Sequence, residues 1–349
     1  MILPQTHAAV LFLMILSLFC WGSWANTYKL AGKWRYELYY FDFAAGVALA
    51  AFLFAFTVGN LGYDGFSFLD DLMHAGKRQW LYGFMAGVIF NLANMILMSA
   101  VSVAGMAVAF PVGIGVATIV GITLAYAAKS TGNPALLFAG CALLAAAAVA
   151  AALAYRFQAV LRHEELARAG KAASTRRPSS IKGIVLALVS GLLMGLFLPL
   201  VDSARQSEIG LGPYAVAVVF AIGVLLSTFV FNVFLMNLPV EGEPLELLDI
   251  LKSTPRQHLL GLAGGVLWCT GMVTSLAAGS AAAETHVGAV AGYLLARGFP
   301  LVAALWGVLL WKEFKGSDLR VKTLVVFMFL LFACGLLVIS QVSLHLPTA

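Results

Sequence analysis

The sequence predicts an all-α polytopic membrane protein with ten transmembrane helices, arranged as two inverted five-helix repeats. Three observations lead to this prediction: the composition, the number of long apolar runs and the similarity of the two halves. Of the 349 residues, 62% are apolar and only 11% are charged, whereas a soluble domain has about 25% charged residues and less than half apolar ones. We therefore interpret the net charge of +5 as an excess of basic residues that orients the chain in the membrane. We expect no nucleic-acid partner.

Ten segments are long enough to cross the bilayer, because about 20 mostly apolar residues span its hydrocarbon core. In chain order they lie near residues 8–28, 40–58, 80–100, 103–126, 135–155, 182–202, 213–237, 258–279, 286–310 and 321–342. The only long hydrophilic connection separates the fifth segment from the sixth. We therefore predict a first five-helix repeat at 1–155, a cytoplasmic linker at 156–181 and a second five-helix repeat at 182–349.

The two halves contain similar glycine patterns. Residues 83–90 read GFMAGVIF and residues 261–268 read GLAGGVLW, so the third span of each half carries a GxxxG pattern, which allows close helix approach. An odd number of spans per repeat inserts the second copy upside down, and inverted repeats of this kind are typical of secondary transporters. A chance match between short glycine-rich stretches is the alternative interpretation.

Basic residues predict how the chain is oriented. Sixteen of the 21 Lys and Arg residues fall in the connections after the odd-numbered spans, and four fall on the opposite side. Because positively charged loops stay in the cytoplasm, we place the central linker in the cytoplasm and both termini outside the cell (inner) membrane. The remaining basic residue, Arg297, lies inside a span.

Arg297 lies in the apolar stretch Ala281–Trp311, with no acidic residue within a few turns of it. A charge at the bilayer centre costs from about 2.5 to more than 10 kcal/mol, so such a residue faces protein or a wet cavity. We predict that Arg297 binds an electron-rich solute group, with Tyr293 on the same helical face one turn earlier. A snorkelling or carbonyl-capping arginine is the alternative. The stretch VGITL (120–124) matches WGVLL (306–310). Because this local alignment places Pro111 opposite Arg297, the site is expected to be one-sided.

Asn91 and Asn94 are three residues apart and share a helical face near the predicted midplane. Amides at this depth need partners, and two on one face can line a polar cavity. We predict that both hydrogen-bond the solute. The alternative is that they join neighbouring helices. Asn91 aligns with Cys269 in the second half, which again predicts an asymmetric site.

Tryptophans supply candidate apolar walls for the same site. Trp21 and Trp24 share a face of the first span and lie deeper than an interfacial belt, so we predict that they contact the solute together with Trp268. Their alternative role is that of anchors at the membrane interface. We interpret four further residues as anchors at the membrane interface: Trp34, Tyr36, Tyr39 and Tyr40.

Three acidic residues at span ends are candidates for proton coupling. Glu284 begins the ninth span, where it could relay a proton or cap the helix N-terminus. Asp202 closes the sixth span near Pro199, a predicted helix break, and Asp42 opens the second span. For the two aspartates, the alternative is an ordinary interfacial acid.

No catalytic pattern is found in the sequence. The run His163–Glu165 is not an HExxH motif, and no GxSxG motif or phosphate-binding glycine loop occurs. We therefore expect neither an enzyme nor an ATP-driven pump, and no cofactor. The four cysteines lie in apolar segments without a CxxC pair, so they are interpreted as packing residues.

Four stretches of the chain together resemble a known transporter superfamily. They are Trp21–Trp24 (WGSW), Tyr40–Phe43 (YFDF), Asn91–Asn94 (NLAN) and Pro300–Phe314, which contains Glu313. With the ten-span layout, they are similar to the drug/metabolite transporter superfamily, nearest the ureide permease branch and the related rhamnose and glucose/ribose sugar porters. Pro300–Phe314 is the most specific of the four.

This resemblance implies a secondary active transporter that imports a small polar organic solute of the ureide, nucleobase or sugar class, with protons and by alternating access. The implied partners are the solute, protons and the lipid bilayer, and a homodimer is left open. An exporter of the same superfamily is one alternative, for which an acidic residue in the cavity would be expected. A non-transporting scaffold or sensor is another, for which a folded soluble module would be expected.

Overall fold

A computed structural model describes residues 1–130, 132–168 and 180–342, and every regular element in these ranges is helical. The helices are α1 (His7–Ser23), α2 (Ala25–Leu30), α3 (Tyr36–Phe56), α4 (Phe68–His74), α5 (Lys77–Ala104), α6 (Met106–Lys129), α7 (Pro134–Arg168), α8 (Ser180–Arg205), α9 (Pro213–Asn237), α10 (Pro255–Gly279), α11 (Ala289–Arg297), α12 (Phe299–Leu305) and α13 (Leu319–Ser340). Short 3₁₀ helices lie at Leu247–Lys252 and Ala283–Thr285, and a π-helical turn follows α12 at Trp306–Leu310.

The number of spans agrees with the prediction. Within the described ranges, nine helical segments are long and apolar enough to cross a membrane, with α1 and α2 counted as one, and the bent pair formed by α11 and α12 brings the number to ten. The predicted all-α fold is therefore confirmed. The inversion of one repeat relative to the other stays a prediction.

The ninth span, predicted at 286–310, is bent by 46° between α11 and α12. Pro300 accounts for the bend. It has no N–H group to donate to the preceding turn, and it disfavours a helical backbone at Phe299. The span consists of two half-helices, and Arg297 is the last residue of the first of them.

Two other helix boundaries differ from the prediction. Helix α7 continues to Arg168, past the predicted end of its span at residue 155, so the first part of the predicted 156–181 linker is helical. Residues 169–179 of that linker lie outside the described ranges. Helix α8 runs unbroken through Pro199, so the predicted break there is wrong. Transmembrane helices tolerate proline because neighbouring groups re-satisfy the freed backbone carbonyl.

Apolar side chains form an exposed stripe along α9. Leu226, Val230 and Phe234 are 54%, 67% and 61% exposed. Because successive members are four residues apart, they share one face of the helix. In a soluble protein such a stripe would be covered, whereas in a membrane it faces lipid. The chain is a multi-pass membrane protein.

Contacts divide the chain into two compact units. The first consists of Met1–Met95 and Leu196–Phe299, and the second of Ile96–Gly195 and Pro300–Ala349. Each unit contains segments from both predicted repeats, because the boundaries fall inside α5 and α8 and where α11 meets α12. Packing units and sequence repeats are different divisions of a chain, so the predicted division into two repeats and a linker stays a prediction.

In the first unit, α10 packs on α3 with the two backbones in contact. A Cβ atom added at Gly265 would overlap the carbonyl oxygen of Phe43, and one added at Gly46 would overlap that of Leu262. Only glycine fits at these two positions. The GxxxG pattern of α10 is therefore explained by close helix packing.

The crossing of α5 and α9 in the same unit has the same geometry. A Cβ atom at Gly87 would overlap the carbonyl oxygen of Phe220, and one at Gly223 would overlap that of Phe84. The alignment of GFMAGVIF with GLAGGVLW pairs Gly87 with Gly265 and Phe84 with Leu262. Each contact between α5 and α9 therefore corresponds to one contact between α10 and α3. Helices α3 and α9 take no part in that alignment, so their correspondence is independent support for the predicted repeat.

In the second unit, the carboxylate of Glu313 caps the N-terminus of α6. Its two oxygens accept hydrogen bonds from the backbone N–H groups of Met106 (2.9 Å) and Ala107 (2.8 Å). Gly105 turns the chain into the helix with a φ of +83°, and a Cβ atom there would lie 2.6 Å from the carboxyl carbon. A negative charge is favourable at a helix N-terminus. Glu313, in the most specific of the recognised stretches, thus has a structural role.

We expect the substitution Gly265→Ala to lower the melting temperature of the purified protein in detergent. The added methyl group would overlap the α3 backbone, and overpacking of this kind costs about 1–3 kcal/mol. Gly279→Ala is the matched control, since a Cβ atom at Gly279 meets no atom within 4 Å. Equal melting temperatures for the two variants, measured by scanning fluorimetry, would contradict the close helix crossing.

The substitution Glu313→Gln should destabilise the protein by about 1 kcal/mol, the usual contribution of a charged cap. Glutamine keeps the shape of the side chain but has one acceptor oxygen and no charge for the two N–H groups of α6. Thermal unfolding followed by circular dichroism measures the effect. Glu208→Gln, at an exposed position, serves as the control, and an equal effect of both substitutions would argue against the cap.

Candidate functional site

Six aromatic side chains meet in the first unit, and we call them the aromatic cluster: Trp21, Phe90, Phe197, Phe220, Trp268 and Phe299. Trp268 is at its centre, with its ring centroid 4.1 Å from that of Phe90 and 5.5 Å from that of Phe220. The ring of Trp21 lies 6.3 Å from that of Trp268 and 5.4 Å from that of Phe299. The structure therefore brings two of the predicted site residues, Trp21 and Trp268, into one cluster.

Trp21 is held in place by contacts between α1 and α10. Its indole N–H donates to the carbonyl oxygen of Trp268 (3.2 Å), and one turn earlier the Ser17 hydroxyl donates to that of Gly271 (2.7 Å). A Cβ atom at Gly271 would lie 2.7 Å from the Trp21 ring, so the indole can lie flat on α10 only because that residue is glycine.

Trp268 keeps an unused hydrogen-bond donor. Its side chain is only 4% exposed, yet no described residue accepts a hydrogen bond from its indole N–H. The Trp268 nitrogen is not among the fully enclosed atoms without a partner in the described residues, so this N–H remains accessible, and a tryptophan N–H usually finds a hydrogen-bond partner. The centre of the aromatic cluster therefore offers one N–H group to a molecule that can accept it.

Arg297 lies at the end of α11, next to the aromatic cluster. It is half-buried, and no described residue forms a hydrogen bond or an ion pair with its guanidinium. A Cβ atom added at Gly298 would lie 3.4 Å from the Leu18 side chain of α1, and the Phe299 ring packs on that of Trp21. The carbonyl end of a helix carries partial negative charge, which offsets part of the cost of a buried cation. Tyr293 is half-buried one turn earlier on α11.

Asn91 connects two helices. It is fully buried, and its amide nitrogen donates to the hydroxyls of Ser227 (2.8 Å) and Thr228 (3.1 Å) on α9. Its amide oxygen accepts from Thr228 at 3.3 Å. This is the alternative role considered for it, as a contact between helices. Direct binding of a solute by Asn91 would require these bonds to break and stays a prediction.

Asn94 has a free acceptor, unlike Asn91. Its amide nitrogen donates to the hydroxyl of Tyr40 (3.1 Å), and no described residue donates to its amide oxygen. Trp24 is 2% exposed, and its ring packs on that of Phe43 at 5.0 Å. Solute contact by Trp24 also stays a prediction.

The three acidic candidates have different surroundings. Glu284 is exposed on the 3₁₀ helix Ala283–Thr285, before α11 begins, and the N-cap of α11 is Gly288. The capping role considered for Glu284 is therefore wrong. Asp202 is exposed near the end of α8. Asp42 is half-buried, and its carboxylate lies 2.7 Å from Nδ1 of His258 on α10.

Four aromatic residues around the start of α3 are not interfacial anchors. All of them are 5% exposed or less: Trp34, Tyr36, Tyr39 and Tyr40. Helix α3 packs against both α9 and α10, so protein covers the faces that the anchor interpretation assigned to lipid. That interpretation is wrong.

Sequence reasoning missed the partners of two charged groups. His258 was not considered, although it opens a span on the same predicted membrane side as Asp42, which is a signal that could have paired them. Glu37 is fully buried and accepts two hydrogen bonds from the guanidinium of Arg35, at 2.6 and 3.1 Å. These bonds raise the pKa of Arg35.

Comparisons with known proteins extend over nearly the whole chain. Ureide permease 4 of Arabidopsis thaliana is 24% identical, over 99% of this chain and 100% of its own length. Ureide permease 1 of the same plant is 22% identical with the same coverage. A solved crystal structure aligns with 99% of this chain and 100% of its own at 14% identity and a TM-score of 0.56, which shows likeness of fold alone.

A comparison of sequences establishes the family of this chain. A sequence model of the ureide permease family matches residues 39–182 and 165–341. The wider superfamily and the sugar porters remain predictions. Because the match extends over far more than half of the sequence, this chain belongs to the ureide permease family, whose members are transporters and not enzymes.

Proposed function

We propose that this chain is a secondary active transporter that imports a small polar solute, of the ureide, nucleobase or sugar class, by proton-coupled alternating access. The names of the Arabidopsis relatives support the ureide class. The observation that carries the proposal is the aromatic cluster with two donors that have no hydrogen-bond partner among the described residues, the Trp268 N–H at its centre and the Arg297 guanidinium two residues from Phe299.

The polar groups at the cluster suit a flat molecule rich in carbonyl and N–H groups. Ureides and nucleobases have planar amide-like faces, which stack on aromatic rings such as those of Trp21 and Trp268. The Arg297 guanidinium and the Trp268 N–H donate to carbonyl oxygens, and the Asn94 oxygen, to which no described residue donates, accepts from a solute N–H. Among these three polar groups, one is charged and basic. A cationic drug would be repelled, which argues against the exporter alternative.

The broken ninth span and the matched helix crossings support alternating access. Transporters with inverted repeats place their sites at discontinuous helices near the repeat interface. Here the discontinuity is at Gly298, beside Arg297. In the alignment of the halves Phe90 corresponds to Trp268, so the two central rings of the aromatic cluster come from equivalent positions. We infer that the repeats rock about this pair of rings.

The distribution of basic residues supports the proposed orientation. The central linker lies in the cytoplasm and both termini lie outside the inner membrane, as the excess of Lys and Arg on one side requires. The lipid bilayer surrounds the apolar stripe of α9. Glu284, Asp202 and Asp42 remain the candidates for coupling to protons. The homodimer stays a prediction, because contacts within one chain do not bear on it.

The experiment that tests this function is a binding screen followed by uptake. Allantoin as a ureide, uracil as a nucleobase, and rhamnose and glucose as sugars are added to purified protein, and the rise in melting temperature identifies a ligand. Uptake of that radiolabelled ligand into proteoliposomes then tests transport. No shift and no uptake with any of the four probes would contradict the proposal.

Arg297→Ala should weaken binding of the identified ligand at least about tenfold, equivalent to 1.4 kcal/mol, because the guanidinium loses its hydrogen bonds to the solute. Arg297→Lys should recover part of the affinity. Isothermal titration calorimetry measures both. Arg78→Ala, at an exposed position, is the control. An Arg297→Ala protein that inserts normally and transports like the wild type would exclude this role.

The two asparagines should respond differently to substitution. Asn91→Ala removes the bonds to α9 and should lower the melting temperature by an amount equivalent to about 1–3 kcal/mol, with ligand affinity nearly unchanged. Asn94→Ala should weaken ligand binding and change stability less. Melting temperatures and dissociation constants of both variants are compared. The reverse pattern would show that Asn91 binds the solute.

A further inference from the structure

Asp42 and His258 form a hydrogen-bonded pair outside the aromatic cluster. Asp42 lies in the second turn of α3 and His258 in the first turn of α10, and the Asp42 carboxylate is 2.7 Å from Nδ1 of the imidazole. The side chain of His258 is 33% exposed and that of Asp42 is 17% exposed. The pair is therefore accessible to water and at the same time bridges two closely packed helices.

The surroundings of the pair fix its geometry. The Trp34 ring meets the imidazole edge to face, with centroids 5.7 Å apart, and its indole N–H donates to the Ser253 hydroxyl (2.8 Å). A Cβ atom at Gly261 would lie 2.5 Å from Cβ of Asp42, so α10 touches α3 at this point. A small shift of one helix along the other would therefore change the distance within the pair.

A further titratable group, the hydroxyl of Tyr39 one turn before Asp42 on α3, interacts electrostatically with Asp42. It shares a hydrogen bond of 2.8 Å with the Thr27 hydroxyl. No described residue forms a hydrogen bond with Nε2 of His258. This nitrogen is the position at which the pair can take up a proton from water.

We propose that Asp42 and His258 together form the proton-binding site that couples the pH gradient to solute transport. This inference rests on the proposed function. In the neutral imidazole, the Nδ1 proton is donated to the Asp42 carboxylate, and the lone pair of Nε2 is free. A proton from the aqueous phase binds Nε2, and the carboxylate then balances the charge of the imidazolium. Release on the other side of the membrane returns the imidazole to its neutral form.

The other acidic groups are less suited to this role. Glu284 and Asp202 are exposed, so water solvates their carboxylates in this structure. Glu37 is bound by Arg35, and a guanidinium keeps its charge throughout the physiological pH range. Histidine is the side chain whose charge changes between about pH 5 and 8. Among the acidic groups compared, the pair of Asp42 with His258 combines a group of this type with a contact between helices.

Helix α10 connects the proton site to the solute site. Trp268 follows His258 on the same helix, about 15 Å along its axis at 1.5 Å per residue. An imidazolium bound to a carboxylate is a charge-assisted hydrogen bond, roughly twice as strong as a neutral one. Protonation thus strengthens the Asp42–His258 hydrogen bond that joins α10 to α3 in this structure. Loss of the proton weakens this bond, so that α10 can move and carry Trp268 with it.

The test measures two transport activities of the His258→Gln protein after its reconstitution into proteoliposomes. Counterflow of allantoin at equal pH on both sides measures solute exchange, and accumulation of allantoin under an inward proton gradient measures coupling. We expect counterflow within about threefold of the wild-type rate, and loss of the stimulation by the gradient. Asp42→Asn should reduce the stimulation in the same way. His286→Gln, at an exposed loop position, is the matched control and should keep it.

The possible outcomes separate this inference from the proposed function. A His258→Gln protein that still responds to the gradient like the wild type overturns the inference, and so does one that loses counterflow in equal measure. Wild-type protein that exchanges allantoin but ignores the gradient overturns the proton site and leaves the solute site standing. Wild-type protein that neither binds nor exchanges any probe overturns the proposed function, and the proton site with it.

Discussion

Backbone contact between helices is the constraint on which the first unit depends. In a bilayer the hydrophobic effect does not drive helices together, so they associate through close packing and hydrogen bonds. At Gly265 and Gly87 the backbones of two helix pairs touch. These two crossings position α10 and α5, and the two helices carry Trp268 and Phe90 into the centre of the aromatic cluster. These crossings therefore also determine the positions of the polar groups around the aromatic cluster.

Much of the fold could be predicted from the sequence, because a bilayer requires long apolar helices and little else at the level of composition. The bend at Gly298 could have been anticipated from Pro300, but a proline also lies in the unbroken α8. Whether a proline bends a helix depends on its neighbours, and a single sequence does not reveal them. The same limit explains why α7 was predicted to end too early.

The candidate site could be predicted less completely. Arg297 and Trp268 were identified because a charge and a large ring at membrane depth are unusual in any context. The rings of Phe90 and Phe220 were missed, since phenylalanine is common in every span and only the crossings bring these two together. Asn91 looked identical to its neighbour three residues on, yet its bonds to α9 give it a structural role.

The central claim is that the solute binds at the aromatic cluster, and a cryo-EM structure of the protein with the ligand from the binding screen tests it most directly. Binding at the aromatic cluster predicts density for the ligand against the ring of Trp268, within hydrogen-bond distance of its indole N–H and of the Arg297 guanidinium. Ligand density elsewhere in the chain, with both donors unpaired, would contradict it.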